Sequence, residues 1–141
     1  MKARDIMQGP VEDVMSIDTI YQAFGKMRRL GLHLLPVVDA KSQLVGIVSD
    51  RDILRALAEI ANMDAPMPLV SECMRRDVIT CSADEPVPEV IEKLLNYHIN
   101  CLPVLDDEKR CIGMISSRDV IRCGLMDGSR SESSPVKYAE M

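Results

Sequence analysis

The composition of this 141-residue chain excludes several classes of protein. Its 22 acidic residues outnumber its 17 Lys and Arg, for a net charge of −5, so it lacks the cationic excess that binding to a nucleic-acid backbone requires. No stretch approaches the roughly 18 apolar residues of a membrane span, the N-terminus has no apolar leader segment, and five Cys is an odd number for a disulfide framework. We therefore expect a cytoplasmic protein with reduced thiols that binds neither nucleic acid nor membrane.

The first half of the chain predicts one β/α unit. Apolar residues recur at helical spacing between Ile20 and Leu30, and Gly31 stands where glycine commonly ends a helix. Two short runs of branched apolar residues then predict the strands of a tight hairpin, and helical spacing returns beyond Ser49. In chain order the elements are a short strand at Glu12 and Asp13, a helix over 20–30, strands over 34–38 and 44–48, and a helix that reaches Ala61.

The second half predicts the same order of elements after a linker. Residues 63–69 include Pro66 and Pro68, which cannot continue a helix. The elements that follow are a short strand at Ile79 and Thr80, a helix over 87–95, strands over 101–105 and 111–115, and a final helix that reaches Met126. We therefore divide the chain into a first unit over 1–62, the linker 63–69, a second unit over 70–126, and a Ser-rich tail over 127–141 that is expected to be mobile or to contribute dimer contacts.

The two units are copies of each other. The run Leu-Pro-Val-Val-Asp at 35–39 recurs as Leu-Pro-Val-Leu-Asp at 102–106, and Gly-Ile-Val-Ser-Asp-Arg-Asp at 46–52 recurs as Gly-Met-Ile-Ser-Ser-Arg-Asp at 113–119. Both pairs have the same offset of 67 residues, as Pro36 and Pro103 illustrate, and no gap is needed. A gapless repeat of this extent indicates that both halves have the same fold.

The doubled Leu-Pro-Val-x-Asp and Gly-h-h-Ser-x-Arg-Asp motifs, where h is apolar, resemble those of the CBS domain, a family named after cystathionine β-synthase. The resemblance covers roughly residues 1–125. It implies an α/β (α+β) fold in which two tandem β-α-β-β-α repeats pack about a pseudo-two-fold axis and leave two clefts between them. It also implies a regulator that binds AMP, ADP, ATP or an S-adenosylmethionine-like compound, forms a disk-shaped homodimer, and relays occupancy to a partner protein of unknown identity.

The resemblance places the ligand at the start of the last helix of each unit. Asp52 and Asp119 match the carboxylate that accepts hydrogen bonds from ribose hydroxyls, and Ser49 and Ser116 match a Ser or Thr near the ribose or phosphate. Ser-x-x-Asp at a helix start is also typical of a capping box, and the two roles can coexist. The residues assigned to the ligand are Ser49, Arg51, Asp52, Ser116, Arg118, Asp119, Ile79, Thr80, His33, Pro36 and Pro103.

The copies differ at the predicted first strand, where the resemblance implies a Thr whose neighbourhood contacts the purine. The second copy has Ile79 and Thr80 there, whereas the first has Glu12 and Asp13. Two carboxylates would repel a phosphate-bearing ligand unless Mg²⁺ accompanied a triphosphate. The copies are therefore not expected to form equal sites.

Further cationic side chains near the predicted sites suit a phosphate. Arg51 and Arg118 lie in the first turn of the last helices, where a guanidinium can pair with a phosphate. His33 aligns with Asn100, just before the second strand, where some relatives carry a polar or basic residue toward phosphate. The alternative for His33 is a surface or hydrogen-bonded core histidine without a ligand.

The remaining chemistry of the sequence favours binding over catalysis. Each Cys aligns with an apolar residue of the other copy, which favours small buried side chains over a metal site. No Ser/His/Asp or Cys/His arrangement stands at a recognisable spacing, so we expect neither an enzyme nor a required cofactor. Two functions remain open, namely a sensor of adenosine-containing nucleotides and a scaffold that dimerises without a ligand.

Overall fold

Two three-stranded sheets organise the chain. The computed structural model describes residues 1–126, so the predicted tail over 127–141 lies outside the described residues. In each sheet a short strand pairs in parallel with the first strand of an antiparallel hairpin. The predicted fold class, a mixed α and β chain made of two repeated units, is confirmed.

Both units follow the predicted order, with one short helical segment added in front of each. The first contains α1 (Ala3–Ile6), β1 (Val14–Met15), α2 (Ile20–Leu30), β2 (Leu34–Val38), β3 (Leu44–Ser49) and α3 (Asp50–Ile60). The second begins with a 3-10 turn (Val70–Glu72) and continues with β4 (Cys81–Ser82), α4 (Val87–Asn96), β5 (Cys101–Leu105), β6 (Cys111–Ser116) and α5 (Ser117–Met126).

Local sequence explains where the first long helix begins and ends. The Thr19 hydroxyl accepts from the Gln22 amide at 3.2 Å, while the Gln22 side chain accepts from the Thr19 amide at 2.8 Å. This reciprocal cap satisfies two helix N–H groups that would otherwise lack partners. At the other end Gly31 adopts a left-handed φ of 68°, which costs glycine little. At the aligned position of the second unit, His98 adopts φ 53°.

The short first strands begin later than the sequence predicts. β1 starts at Val14 and β4 at Cys81, so Glu12 and Asp13, like Ile79 and Thr80, precede the strands. Only two residues of each segment pair with the neighbouring hairpin, for example Val14 with Val37. The residues ahead of them leave the sheet, which carries Glu12 and Ile79 to the space between the two units.

The two units exchange their leading segments. We call residues 1–8 the N-terminal arm and residues 68–75 the linker arm, which occupy aligned positions in the repeat. Ala3 of the N-terminal arm is fully buried in the core of the second unit, whereas Val70 of the linker arm is fully buried in the core of the first. Each unit therefore completes its core with apolar side chains that precede the other unit in sequence.

Backbone hydrogen bonds hold both arms in place. The Ala3 amide donates to the Glu85 carbonyl at 2.8 Å, and the Val70 amide donates to the Asp18 carbonyl at 2.7 Å. Further along the arms, Gln8 exchanges two backbone hydrogen bonds with Met114, and Arg75 exchanges two with Ile47. One residue of each arm thus pairs with the free edge strand of the other unit's hairpin. This strand leads directly into the last helix of that unit.

Glycines in the hairpins make room for the arms. A Cβ at Gly46 would lie 2.7 Å from Met74 Sδ and 2.8 Å from the Arg75 carbonyl oxygen. A Cβ at Gly113 would lie 2.5 Å from Met7 Sδ. The glycine in the doubled Gly-h-h-Ser motif is therefore required by the close approach of an arm.

Two Gly→Ala substitutions are expected to change the free energy of unfolding in opposite directions, because only one of the two glycines lies against an arm. Gly46→Ala is expected to lower the free energy of unfolding by about 1–3 kcal/mol, since the new methyl group overlaps the Arg75 backbone. Gly25→Ala is the matched control, because its Cβ would meet nothing within 4 Å on the helix α2, and it is expected to raise the free energy of unfolding by about 0.5–1 kcal/mol. Urea denaturation followed by circular dichroism measures both, and a Gly46→Ala variant as stable as the parent would contradict the arm packing.

Candidate functional site

Two clefts lie between the units, one at the start of each last helix. The Asp119 cleft has a volume of about 410 Å³ and the Asp52 cleft about 300 Å³. The Asp119 cleft is lined by Gln8, Pro10, Val11, Glu12, Leu30, Leu32, His33, Leu34, Pro36, Cys101, Met114, Ser116 and Asp119. The Asp52 cleft is lined by Leu34, Ile47, Ser49, Asp52, Arg75, Asp77, Val78, Ile79, His98, Ile99, Asn100, Cys101 and Pro103.

Each cleft combines residues of both units. Asp119 of the second unit lines one cleft together with Pro36 and His33 of the first, and Asp52 of the first unit lines the other together with Pro103 and Ile79 of the second. Leu34 and Cys101, which align in the repeat, line both clefts and separate them. A molecule in either cleft would therefore contact both units at once.

The Ser and Asp of each motif form the predicted capping box. Ser49 donates to Asp52 Oδ2 from its backbone amide and from its hydroxyl, both at 2.9 Å, and the Asp52 amide donates to Ser49 Oγ at 3.2 Å. Ser116 and Asp119 repeat this arrangement at 2.8, 2.9 and 3.2 Å. Only one carboxylate oxygen of each Asp is used in the cap.

The other carboxylate oxygen, Oδ1, is bound by groups from outside the cap. Asp52 Oδ1 accepts from Arg55 Nη1 at 3.0 Å and from Arg75 Nε at 3.4 Å. Asp119 Oδ1 accepts from Gln8 Nε2 at 2.7 Å, and Arg122 Nη1 lies 3.6 Å away. The two Asp residues are only 4% and 6% exposed, and a buried carboxylate needs such partners. The structure thus supports capping through Oδ2 and leaves Oδ1 for contact across the cleft.

Glu12 and Asp13, the two adjacent acidic residues of the first unit, have different surroundings. Glu12 lines the Asp119 cleft, where its carboxylate lies 3.6 Å from Lys26 Nζ. Asp13 is half-buried and is not among the lining residues, and burial is the main cause that raises the pKa of its carboxyl group. Only one of the two carboxylates therefore faces the space in which a ligand would lie.

His33 is held on the rim of the Asp119 cleft. Its Nδ1 lies 3.0 Å from Asp50 Oδ2, and its carbonyl oxygen accepts from the Asp50 amide at 3.0 Å. The imidazole is largely exposed. His33 is thus a surface residue tied to the start of α3, yet it lines a cleft as the resemblance implies.

Three residues assigned to the ligand do not line either cleft. Arg51 instead borders an exposed apolar groove between α2 and α3, and Arg118 is exposed on α5. Thr80 is half-buried, and its carbonyl oxygen accepts from Lys93 Nζ at 2.8 Å. Thr80 directly precedes β4, and at this point of the chain Ile79 lines the Asp52 cleft whereas Thr80 does not. Arg51 and Arg118 directly precede the capping Asp in the first turn of each last helix. Because that Asp is the buried residue of the turn, the arginine beside it lies outside the cleft.

The structure adds four polar residues that the sequence did not single out. Gln8 lines the Asp119 cleft, and Arg75, Asp77 and His98 line the Asp52 cleft. Gln8 and Arg75 are aligned at the repeat offset, which was the available signal. Their importance depends on the exchange of arms, which places each of them opposite the carboxylate of the other unit.

The five cysteines are free and mostly shielded. Burial raises the pKa of the Cys81 and Cys111 thiols to about 11 and is also the main cause that raises those of Cys73 and Cys101. Within residues 1–126, no group of three or more His, Cys, Asp or Glu side chains is arranged to hold a metal ion. Over the same residues no helix has the length and apolar character to cross a membrane.

Comparisons with known proteins agree with this architecture. The CBS domain model matches the chain twice, over residues 3–59 and 70–125. The CBS domain pair of a solved structure, in complex with 5′-methylthioadenosine and S-adenosyl-L-methionine, is 34% identical with a TM-score of 0.76, covering 87% of this chain and 94% of that chain.

Two curated relatives carry enzyme names. An L-aspartate semialdehyde sulfurtransferase of Methanocaldococcus jannaschii is 35% identical over 119 residues, which is 84% of this chain and 22% of that protein. An inosine-5′-monophosphate dehydrogenase of the same organism is 31% identical over 121 residues, which is 86% of this chain and 23% of that protein. The chain thus spans less than a quarter of each relative.

The similarity is confined to a part that enzymes of different names share, and CBS domain pairs are regulatory modules that are generally not catalytic. Two family matches, two aligned sheets and two clefts lead to the same conclusion. The chain belongs to the CBS domain family and contains a tandem pair of these domains.

Proposed function

We propose that the chain is a regulatory module that binds an adenosine-containing compound in the clefts between its units and relays occupancy to a partner protein. The observation that carries this proposal is the doubled capping carboxylate, which uses Oδ2 in the cap and is bound at Oδ1 by a side chain that lines a cleft. A CBS domain pair that is 34% identical binds 5′-methylthioadenosine and S-adenosyl-L-methionine, which supports adenosine as the shared part of the ligand.

The cleft chemistry suits a nucleoside. The 2′ and 3′ hydroxyls of a ribose need acceptors, and Asp52 Oδ1 or Asp119 Oδ1 provides a charged one. The remaining lining is rich in apolar side chains, among them Pro36 and Met114 in the Asp119 cleft and Pro103 in the Asp52 cleft, which can cover the faces of a purine. A triphosphate in the Asp119 cleft would need Mg²⁺ between its phosphates and Glu12.

The relay follows from the position of the clefts. Because each cleft is lined by both units, a ligand that binds one relative placement of the units more tightly shifts the population toward that placement. We propose that this shift is passed on through a homodimer. The exposed helix faces carry apolar side chains suited to it, namely Tyr21, Phe24, Leu54, Leu57 and Ile121.

A scaffold without a ligand is the second candidate function, and the same exposed helix faces favour it. Thermal unfolding separates the two candidates, since only a ligand that binds the folded state raises the melting temperature. We expect 5′-methylthioadenosine or AMP at millimolar concentration to raise it by several degrees, with inosine as the control nucleoside. No rise with any adenosine compound would favour the scaffold.

Removing the cleft-facing carboxylates is expected to abolish most of the affinity. The double variant Asp52→Ala/Asp119→Ala should bind 5′-methylthioadenosine and AMP at least about 10-fold more weakly in isothermal titration calorimetry, because a hydrogen bond to a charged acceptor is lost in each cleft. Asp39→Ala is the matched control, since one oxygen of that carboxylate likewise accepts two local hydrogen bonds, here from backbone amides at 2.8 and 3.0 Å, but in the β2–β3 turn. Equal affinities of the double variant and the parent would refute the ribose assignment.

A charge placed on the helix faces is expected to separate the homodimer. Leu54 is 61% exposed on α3, and Leu54→Glu should shift sedimentation from the dimer toward the 15.7 kDa monomer. Ile17 is 69% exposed but lies in the loop before α2, so Ile17→Glu adds the same charge away from these faces and should leave the dimer intact. A parent chain that sediments as a monomer at all concentrations would contradict the dimer.

A further inference from the structure

The two clefts hold their cleft-facing carboxylate oxygens with chemically different groups. Arg75, a cation, lies 3.4 Å from Asp52 Oδ1. Gln8 occupies the aligned position and donates to Asp119 Oδ1 from a neutral amide at 2.7 Å. Both side chains belong to the exchanged arms and line the clefts. The two clefts therefore differ in the charge of the group that contacts the carboxylate.

Counting acceptor positions shows what a ribose must displace. An ionised carboxylate offers about four lone-pair positions. Asp52 uses them for the amide and hydroxyl of Ser49, for Arg55 at 3.0 Å and for Arg75 at 3.4 Å. A ribose hydroxyl that bonds to Asp52 Oδ1 therefore replaces one of the arginines, and Arg75 is the more distant of the two.

Displacement has different consequences in the two clefts. An Arg75 guanidinium released from Asp52 retains its full charge beside the ligand and is stabilised by a new anion, which a phosphate on that ligand supplies through paired hydrogen bonds. Within the described part of the chain, Asp119 accepts only three hydrogen bonds, from the amide and hydroxyl of Ser116 and from Gln8, so one acceptor position remains for a ribose hydroxyl. If the Gln8 amide is displaced, it carries no charge, and no anion is needed to replace the carboxylate. Ribose binding thus favours an anionic ligand in the Asp52 cleft only.

Charges on the cleft linings act in the same direction. The Asp119 cleft contains Glu12 at the position where the Asp52 cleft contains Ile79. Lys26 Nζ lies 3.6 Å from the Glu12 carboxylate and also donates to the Asp13 carbonyl at 2.5 Å. The Asp52 cleft contains Asp77 where the other contains Pro10, which partly opposes Arg75. Each lining contains one histidine. Apart from these, the charged residues Glu12 and Asp119 line the Asp119 cleft, whereas Asp52, Asp77 and Arg75 line the Asp52 cleft, so the lining of the Asp119 cleft is more negative.

Building on the proposed function, we propose that the two clefts sort adenosine ligands by the charge of the 5′ substituent. The Asp52 cleft takes a ligand with a 5′-phosphate, and Arg75 is the residue that determines this specificity. The Asp119 cleft takes a ligand whose 5′ substituent is uncharged or cationic, such as a thioether or a sulfonium. One chain then reports on two classes of adenosine compound at once.

Nuclear magnetic resonance of the ¹⁵N-labelled full chain tests each cleft separately. The backbone amides of Ser49 and Ser116 donate to Asp52 and Asp119 at 2.9 and 2.8 Å, so each reports on its own cleft. AMP and 5′-methylthioadenosine are the probes, because they share adenosine and differ in the 5′ charge. We expect AMP to shift the Ser49 signal at a concentration at least about 10-fold below that needed for Ser116, and 5′-methylthioadenosine to show the reverse order.

Substitutions on the arms identify the residue responsible. Arg75→Gln copies the Gln8 side chain and should weaken AMP binding at the Ser49 probe about 10-fold without weakening 5′-methylthioadenosine. Arg76→Gln is the matched control, since the Arg76 guanidinium donates to the Ser71 carbonyl at 3.2 Å and is not among the cleft-lining residues. Gln8→Arg with Glu12→Ile should strengthen AMP binding at the Ser116 probe.

The outcomes distinguish this inference from the function on which it rests. If neither amide responds to either compound, adenosine binding itself is wrong. If both amides respond but prefer the same compound, the chain binds adenosine ligands and the sorting by charge is overturned. If Arg75→Gln weakens both compounds equally, Arg75 stabilises the cleft without selecting its ligand.

Discussion

The exchange of arms between the units is the constraint on which the rest of the structure depends. Ala3 and Val70 are fully buried in the core of the unit that they do not precede, and backbone hydrogen bonds continue the exchange as far as Gln8 and Arg75. Without these segments each core would expose apolar surface, which costs about 25 cal/mol per Å². The exchange therefore ties the two units together and builds both clefts between them.

The capping carboxylates connect this architecture to chemistry. Asp52 and Asp119 each accept with one oxygen from the amide of the serine that precedes α3 or α5, and each presents the other oxygen to an arm from the opposite unit. The same side chain thus caps a helix and lines a cleft between the units. Under the proposed function, a ligand that replaces an arm residue at that oxygen would act on the contact between the two units and so would couple occupancy to their relative placement.

Symmetry of the backbone does not extend to the sites. The sheets, registers and capping boxes of the two units correspond closely, since the same apolar pattern and the same motif specify each of them. The cleft linings differ at positions where the backbone geometry does not require a particular side chain, as at Gln8 and Arg75 or at Glu12 and Ile79. A repeated fold can accordingly hold two chemically distinct sites.

The sequence by itself determined the repeat, the fold class, the hairpins, the long helices and the Ser-x-x-Asp caps. These features depend on residues close together in the chain, whose spacing and hydrogen-bonding groups specify local structure. Only the tertiary structure decided that Arg75 faces Asp52, that Gln8 faces Asp119, and that Ile79 rather than Thr80 lines a cleft. These contacts join residues from different units, and their geometry follows from how the two cores pack around the exchanged arms, which local spacing does not encode.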